Sequence, residues 1–317
     1  MSEPASAETE RVRRSLAVVV LLTFSAVSLA TAFCSRKPAD ETKTAGPSVT
    51  AIPPTPPPFV PINAKIDSTG RVWVLDSANS RLTYSADGGS SREGWGGAGG
   101  GNTEFRSPEG LAVSGEDVYV ADTWNHRVSR FTRAGEWKGA VTGFMGPRGI
   151  AVGKDGSVWV ADTGNHRVVK YDSALKNENV VGKPGSEPGQ FKGPVGIAVG
   201  PSGTVYVADT GNRRVQALDP DGKFLRQWSV PWFEKTWMVQ VEVGPDETVY
   251  VSNPDGGEVV SFSRTGSPGR SWKVDDSGLN LVRPTGLGID REKKVLYVSD
   301  SAANRVSKIQ LSASPSP

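Results

Sequence analysis

Six versions of one phrase recur along the chain: "GRVWVLDSANSRL", "EDVYVADTWNHRV", "GSVWVADTGNHRV", "GTVYVADTGNRRV", "ETVYVSNPDGGEV" and "KVLYVSDSAANRV". Aligned on Asp76, Asp122, Asp162, Asp209, Asn253 and Asp300, they are spaced 46, 40, 47, 44 and 47 residues apart. A self-similar period of this length means an array of one supersecondary unit, stacked so that each copy buries its faces against its neighbours.

Each unit reads as strands. In the fourth, Gly196–Val199 is a short apolar run and Pro201–Gly203 a turn. Thr204–Asp209, "TVYVAD", is β-branched and aromatic with almost no polar interruption, as expected of a strand covered on both faces. "TGN" turns the chain, Arg214–Asp219 is a third strand, "PDGK" turns again, and Phe224–Trp228 is a fourth. Helical periodicity is absent from the repeats. Four short antiparallel strands repeated six times predict an all-β fold, a six-bladed β-propeller over residues 60–311, with a tail at 312–317. The sixth unit lacks its fourth strand. Val49–Ile52, "VTAI", is the expected substitute, because an open edge needs cover.

The repeated phrase carries an Asp, an Asn and an Arg, and twice a His. The Asp ends one strand and the Arg begins the next, giving Asp76/Arg81, Asp122/Arg127, Asp162/Arg167, Asp209/Arg214 and Asp300/Arg305. A carboxylate accepting turn N–H groups and facing a guanidinium braces such a hairpin. Asn79, Asn125, Asn165 and Asn212 fall where positive φ is expected. A catalytic group is needed once, whereas these residues recur in blade after blade, so they are read as scaffold. His126 and His166 occupy the same slot in two blades and are read as turn residues rather than metal ligands.

The N-terminal part is separate. Residues 1–14 carry Arg11, Arg13 and Arg14 ahead of the uncharged run Ser15–Cys34, and form a cytoplasmic flank. The run, 15–34, is expected to be a transmembrane signal anchor. Cleavage after Ala32, releasing a secreted form, and lipidation at Cys34 are the alternatives. Residues 35–59 are rich in Pro and Thr and read as a linker. All three fates place the propeller outside the cytoplasm. Lys+Arg at 36 against Asp+Glu at 34 leaves no basic footprint, so no nucleic-acid partner is expected. With Cys34 as the single cysteine, no internal disulfide can form.

The units "PVGIAVGPSGTVYVADTGNRRVQALDPDGKFLRQW" and "SEPGQFKGP" resemble NHL repeats. The resemblance spans about residues 60–311 and is most specific in blades two to four. It implies the same six-bladed propeller that the spacing predicts. For function it implies a binding platform for proteins, RNA or glycans, or in some cases an enzyme, and fold does not choose among these.

Departures from the repeat are where function is sought. In blade five Asn253 replaces the Asp and Glu258 the Arg. The connector into it, Trp228–Gln240, carries Trp232, Phe233 and Trp237 where other connectors are Gly-rich. Such aromatics either face a sugar, peptide or partner, or cap a blade interface. The Gly-rich stretch Gly94–Gly101 is not a phosphate loop, since neither Lys-Ser/Thr nor a helix follows. The residue in the slot between Pro and Gly before each inner strand is expected near the axis: Ile62, Glu109, Arg148, Val195, Thr285 and, by alignment, Val239 in blade five. Glu109 and Arg148 are expected to pair. Propellers resembling gluconolactonases hold a divalent cation with several Glu, Asp and Asn ligands, and NHL-like lyases use histidines on zinc. Neither set appears in these slots. The expectation is therefore a monomeric, membrane-tethered extracytoplasmic propeller, without metal or cofactor, that binds an envelope protein or a glycan. Trp232, Phe233, Trp237, Glu109 and Arg148 are its candidate contacts. The alternative is a metal-dependent hydrolase or lyase using loop carboxylates such as Asp255, Asp275 or Asp276.

Overall fold

The computed structural model describes residues 58–86, 92–234 and 238–311. Ser15–Cys34, Val49–Ile52 and Trp237 lie outside them. Among the described residues no helix is long and apolar enough to cross a membrane.

Among the described residues twenty-three strands form six sheets in meander order. Blade one is β1 (Pro61–Ile66), β2 (Val72–Asp76), β3 (Arg81–Ser85) and β4 (Glu93–Gly96). Blade two is β5 (Gly110–Ser114), β6 (Asp117–Asp122), β7 (Arg127–Thr132) and β8 (Trp137–Val141). Blade three is β9 (Pro147–Val152), β10 (Val158–Asp162), β11 (Arg167–Tyr171) and β12 (Asn179–Val181). Blade four is β13 (Pro194–Val199), β14 (Val205–Asp209), β15 (Arg214–Leu218) and β16 (Phe224–Ser229). Blade five is β17 (Val241–Val243), β18 (Val249–Asn253), β19 (Glu258–Phe262) and β20 (Pro268–Trp272). Blade six has three strands, β21 (Pro284–Asp290), β22 (Val295–Asp300) and β23 (Arg305–Gln310). The innermost strands β1, β5, β9, β13, β17 and β21 touch in succession, and β21 meets β1, so the ring closes.

Why these sequences make blades follows from burial. The second strands are buried along their length, whereas β4, β8 and β20 on the perimeter are largely exposed. A hydrophobic cluster sits at each of the six interfaces. Each fully buried Val or Leu contributes about 1.5–3 kcal/mol over its exposed state. The seam between blades six and one holds the fewest residues: Ala64, Val72, Val74 and Tyr297, with Phe59, Ile66, Val295 and Val306 partly buried against them.

The inner strands can crowd the axis because of glycine. A methyl group on Gly149 would lie 2.2 Å from the Val195 carbonyl oxygen, and one on Gly110 2.2 Å from that of Arg148. The Pro-x-Gly signature is thus a requirement for blade-to-blade approach.

The repeated carboxylates are fully buried. One oxygen of each accepts the arginine Nε, at 3.0 Å in Asp76/Arg81, 2.8 Å in Asp122/Arg127, 2.7 Å in Asp162/Arg167 and 2.8 Å in Asp209/Arg214. In blade six Arg305 lies further off, at 3.6 Å from Asp300. The other oxygen accepts a backbone N–H from the connector leading into the blade, not from the turn. The donors are Val60, Arg106, Met145, Lys192 and Arg283, at 2.7–3.1 Å. The Asp therefore ties connector, second strand and third strand together. Asn79, Asn125, Asn165 and Asn212 do not carry the positive φ; their amides donate back to the Asp at 2.8–2.9 Å. Positive φ falls one residue later, at Ser80, His126, His166 and Arg213, the last three closing single-turn 3-10 segments. Blade five inverts the polarity: the Asn253 amide donates to the Glu258 carboxylate at 3.0 Å.

Val49–Ile52, the segment expected on the blade-six edge, lies outside the described residues. Among the described residues, Asp276 of the connector from β20 lies against β23: its N–H donates to the Lys308 carbonyl at 2.9 Å, and its carboxylate accepts the Gln310 N–H at 2.9 Å. A loop laid on the edge is a recognised way to block edge pairing.

Asp67, in the turn after β1, shows a pH effect. Burial opposes its charge, but hydrogen bonds from Thr69, Trp73 and Arg71 prevail and hold its pKa below the ordinary 3.8. A depressed carboxylate stabilises the fold above its unfolded pKa, and that contribution fades as pH falls through the folded value. Asp67→Asn is therefore expected to melt below the wild type at pH 7, with the gap closing once pH drops under about 3.8. Melting curves between pH 7 and 3 check this; a gap that persists in acid would assign the loss to packing instead.

Candidate binding surfaces

At the face carrying the Asp–Asn–Arg turns, the axis is lined by Ile62, Glu109, Val195, Met238, Gln240 and Thr285 around a void of about 10 Å³. That is roughly one water's worth of space. Blade five contributes Met238 and Gln240; Val239, expected there, is fully buried in the core between blades four and five. Blade five lacks the Pro-x-Gly landmark, and its inner strand is only three residues long, which shifts the phase.

Arg148 Nη1 donates to Glu109 Oε2 at 2.6 Å. Burial pushes the Glu109 pKa up, while Arg148 pulls it down. The pair closes the axis, with its one carboxylate spent on the guanidinium. This donor set does not fit the divalent cation or zinc that related propellers imply. His126 and His166 sit elsewhere: each Nδ1 accepts an N–H from the connector into the next blade, from Gly146 at 3.0 Å and Gly193 at 2.9 Å. Among the described residues no group of three or more His, Cys, Asp and Glu is placed to hold a metal ion.

The aromatic connector of blade five folds inward. Phe233 is 2% exposed and joins the core between blades four and five. Trp232 is half-buried, stacked on Phe262 with centroids 6.0 Å apart and planes at 26°. Phe233 thus acts as an interface plug, as Phe105, Phe144, Phe191 and Leu281 do in other connectors, and has no surface left to offer a partner. The Phe-x-x-Pro phase of "FRSP", "FMGP" and "FKGP" was the available signal for this role.

A larger hollow was not anticipated from the sequence. On the opposite face, between blade five and the three-stranded blade six, lies a groove of about 660 Å³. Tyr250, Trp272, Arg270, Asp246, Lys294 and Leu311 line it, with the hydroxyls of Ser261, Ser263 and Ser267. Tyr250 and Trp272 pack with centroids 5.8 Å apart, and the Arg270 guanidinium lies 5.1 Å from the Trp272 ring centre. Burial and the nearby Asp246 push the Tyr250 phenol up to about 12, so it stays neutral. The Trp272 indole N–H is buried without a hydrogen-bond partner. Aromatic walls interrupted by a few convergent polar groups are the usual make-up of a ligand groove.

The NHL repeat family model matches residues 105–131, 144–171 and 191–218, which are blades two, three and four. The chain thus carries NHL repeats in three blades of a six-bladed β-propeller. No curated protein sequence matches it. Solved structures match over most of the chain. A gluconolactonase from Xanthomonas campestris aligns at 14% identity, over 81% of this chain and 88% of its own, with a TM-score of 0.62. The calcium-binding protein regucalcin from Agrobacterium tumefaciens aligns at 12% identity, over 81% and 92%, with a TM-score of 0.58. A virginiamycin B lyase from Staphylococcus aureus, solved with quinupristin, aligns at 14% identity, over 78% and 80%, with a TM-score of 0.56. At these identities the likeness establishes the fold alone.

Proposed function

We propose that the protein is an extracytoplasmic, membrane-tethered binding module whose propeller holds an envelope protein or glycan. The observation that carries this reading is the groove between blades five and six, with its aromatic walls and hydroxyl rim. Its volume, about 660 Å³, is within the usual range for ligand sites. The apolar run Ser15–Cys34 and the Pro-rich linker supply the tether. The hydrolase or lyase alternative needs a ligand set, and Glu109, the carboxylate at the turn-bearing end of the axis, is committed to Arg148.

The test is photo-cross-linking in intact cells from a probe at Lys294, in the otherwise wild-type chain and in Trp272→Ala. The expected result is one discrete adduct, protein or glycan-bearing, that Trp272→Ala reduces about tenfold. Scattered background from both chains, together with no retention of the purified chain on a glycan panel, would overturn the reading.

A further inference from the structure

On the face away from the Asp–Asn–Arg turns, the inner strands splay around a second axial cavity of about 240 Å³. Its walls are aliphatic, built from Ile66, Ala112, Ile150, Ile197 and Ile289. Its charged groups are Lys65, Lys154, Arg291 and Glu242, three cations against one carboxylate.

The single carboxylate is heavily used. Lys65 Nζ donates to Glu242 Oε2 at 2.5 Å and to the Leu287 carbonyl at 2.8 Å. Arg291 Nη2 is 3.8 Å from Glu242 Oε1 and donates to the Val199 carbonyl at 3.1 Å, while its Nε donates to the Val243 carbonyl at 3.3 Å. These bonds fix both cations in place across blades one, four, five and six. Lys154, exposed at the rim, has no ion pair or side-chain hydrogen bond among the described residues. Converging positive charge at the mouth of a cavity with low-dielectric walls concentrates anions there. A half-buried lysine that shares its one carboxylate partner with a second cation is under-neutralised, since charges held inside proteins are ordinarily paired.

We infer that this cavity is a binding site for a small organic anion, with an aliphatic or neutral body against the inner strands and a carboxylate or phosphate group between Lys65, Lys154 and Arg291. It is independent of the groove between blades five and six.

The experiment is calorimetric titration of the full chain in detergent, at low ionic strength, with adipate, butyl phosphate and inorganic phosphate. The expected result is saturable one-to-one binding of at least one probe. Tighter binding of adipate assigns a carboxylate ligand, and tighter binding of either phosphate assigns a phosphoryl one. Removing one cation close to the anion, as in Lys154→Ala, is expected to weaken binding about tenfold, and Lys154→Glu by more. Lys138→Ala, which removes an exposed perimeter cation of β8, should leave the affinity unchanged. Because Lys154 is exposed, its replacement leaves the fold intact, and melting temperature confirms this. Absence of saturation with all three probes would overturn the inference. So would equal weakening by Lys154→Ala and Lys138→Ala, which would mean diffuse attraction without a site.

Discussion

Asp209→Ala is expected to destabilise the propeller by about 3–5 kcal/mol, the usual cost of leaving a buried charge without its partner. For a domain of this size that lowers Tm by about 10 °C. The Asp209 carboxylate accepts from the Lys192 N–H, Asn212, Arg214 and Gln216. Its partner Arg214 has a side chain only 9% exposed; it would keep the Ser186, Glu187 and Gln190 carbonyls and Gln227 as acceptors but lose its counter-charge. The equivalent substitutions should grade with arginine exposure, which is 12% in Arg127, 25% in Arg167 and 48% in Arg81. Asp76→Ala should therefore be the mildest of the four. Thermal melts of the series decide the matter. Equal losses at all four positions would show that connector anchoring, common to every blade, dominates over charge burial.

The second large effect is expected at the axis. Gly149→Ala places a methyl group 2.2 Å from the Val195 carbonyl oxygen and 3.0 Å from the Ile197 nitrogen, both backbone atoms of the next blade. Neither can rotate away, so two blades must separate, at a cost of about 3 kcal/mol or more. Gly196→Ala is milder, with its nearest contact at 2.8 Å. Gly97→Ala, where a methyl meets nothing within 4 Å, serves as the neutral reference. Urea unfolding gives the comparison. If Gly149→Ala and Gly97→Ala share a midpoint, the inner strands have slack that their spacing does not suggest.

Much of the architecture was legible in the chain, because a repeat states each element six times over. Blade number, strand order and the Asp–Arg pairs follow from spacing alone. Details that depend on tertiary phase were harder. The left-handed residue lies after the Asn because a three-residue 3-10 turn intervenes and closes at His126, His166 or Arg213. Asn tolerates that conformation, so propensity pointed one residue too early. The inward path of Phe233 was masked by the missing Pro-x-Gly in blade five. The groove of blades five and six is lined from separate strands and turns that no local motif links, and Asp276 in a connector carries no strand pattern. The axial cations were invisible for a different reason. Lys65, Glu242 and Arg291 lie on different blades with 177 and 49 residues between neighbours in sequence, and no local motif links them.

The residue that closes each turn also carries a mechanical consequence. His126 and His166 each hold the connector into the following blade, and Val230 donates to the Arg213 carbonyl at 2.8 Å. Asn304 does the same at the seam: with its amide nitrogen facing the acceptors, it donates to the Phe59 carbonyl at 2.9 Å. Phe59 is where the chain from the N-terminal apolar run joins the ring. If the N-terminal run anchors the chain as proposed, a pull on it is delivered first to the junction of blades six and one, which has the smallest apolar cluster of the six among the described residues. Under load the ring would part there before any blade lost its own strands, so that junction would act as the molecule's mechanical fuse.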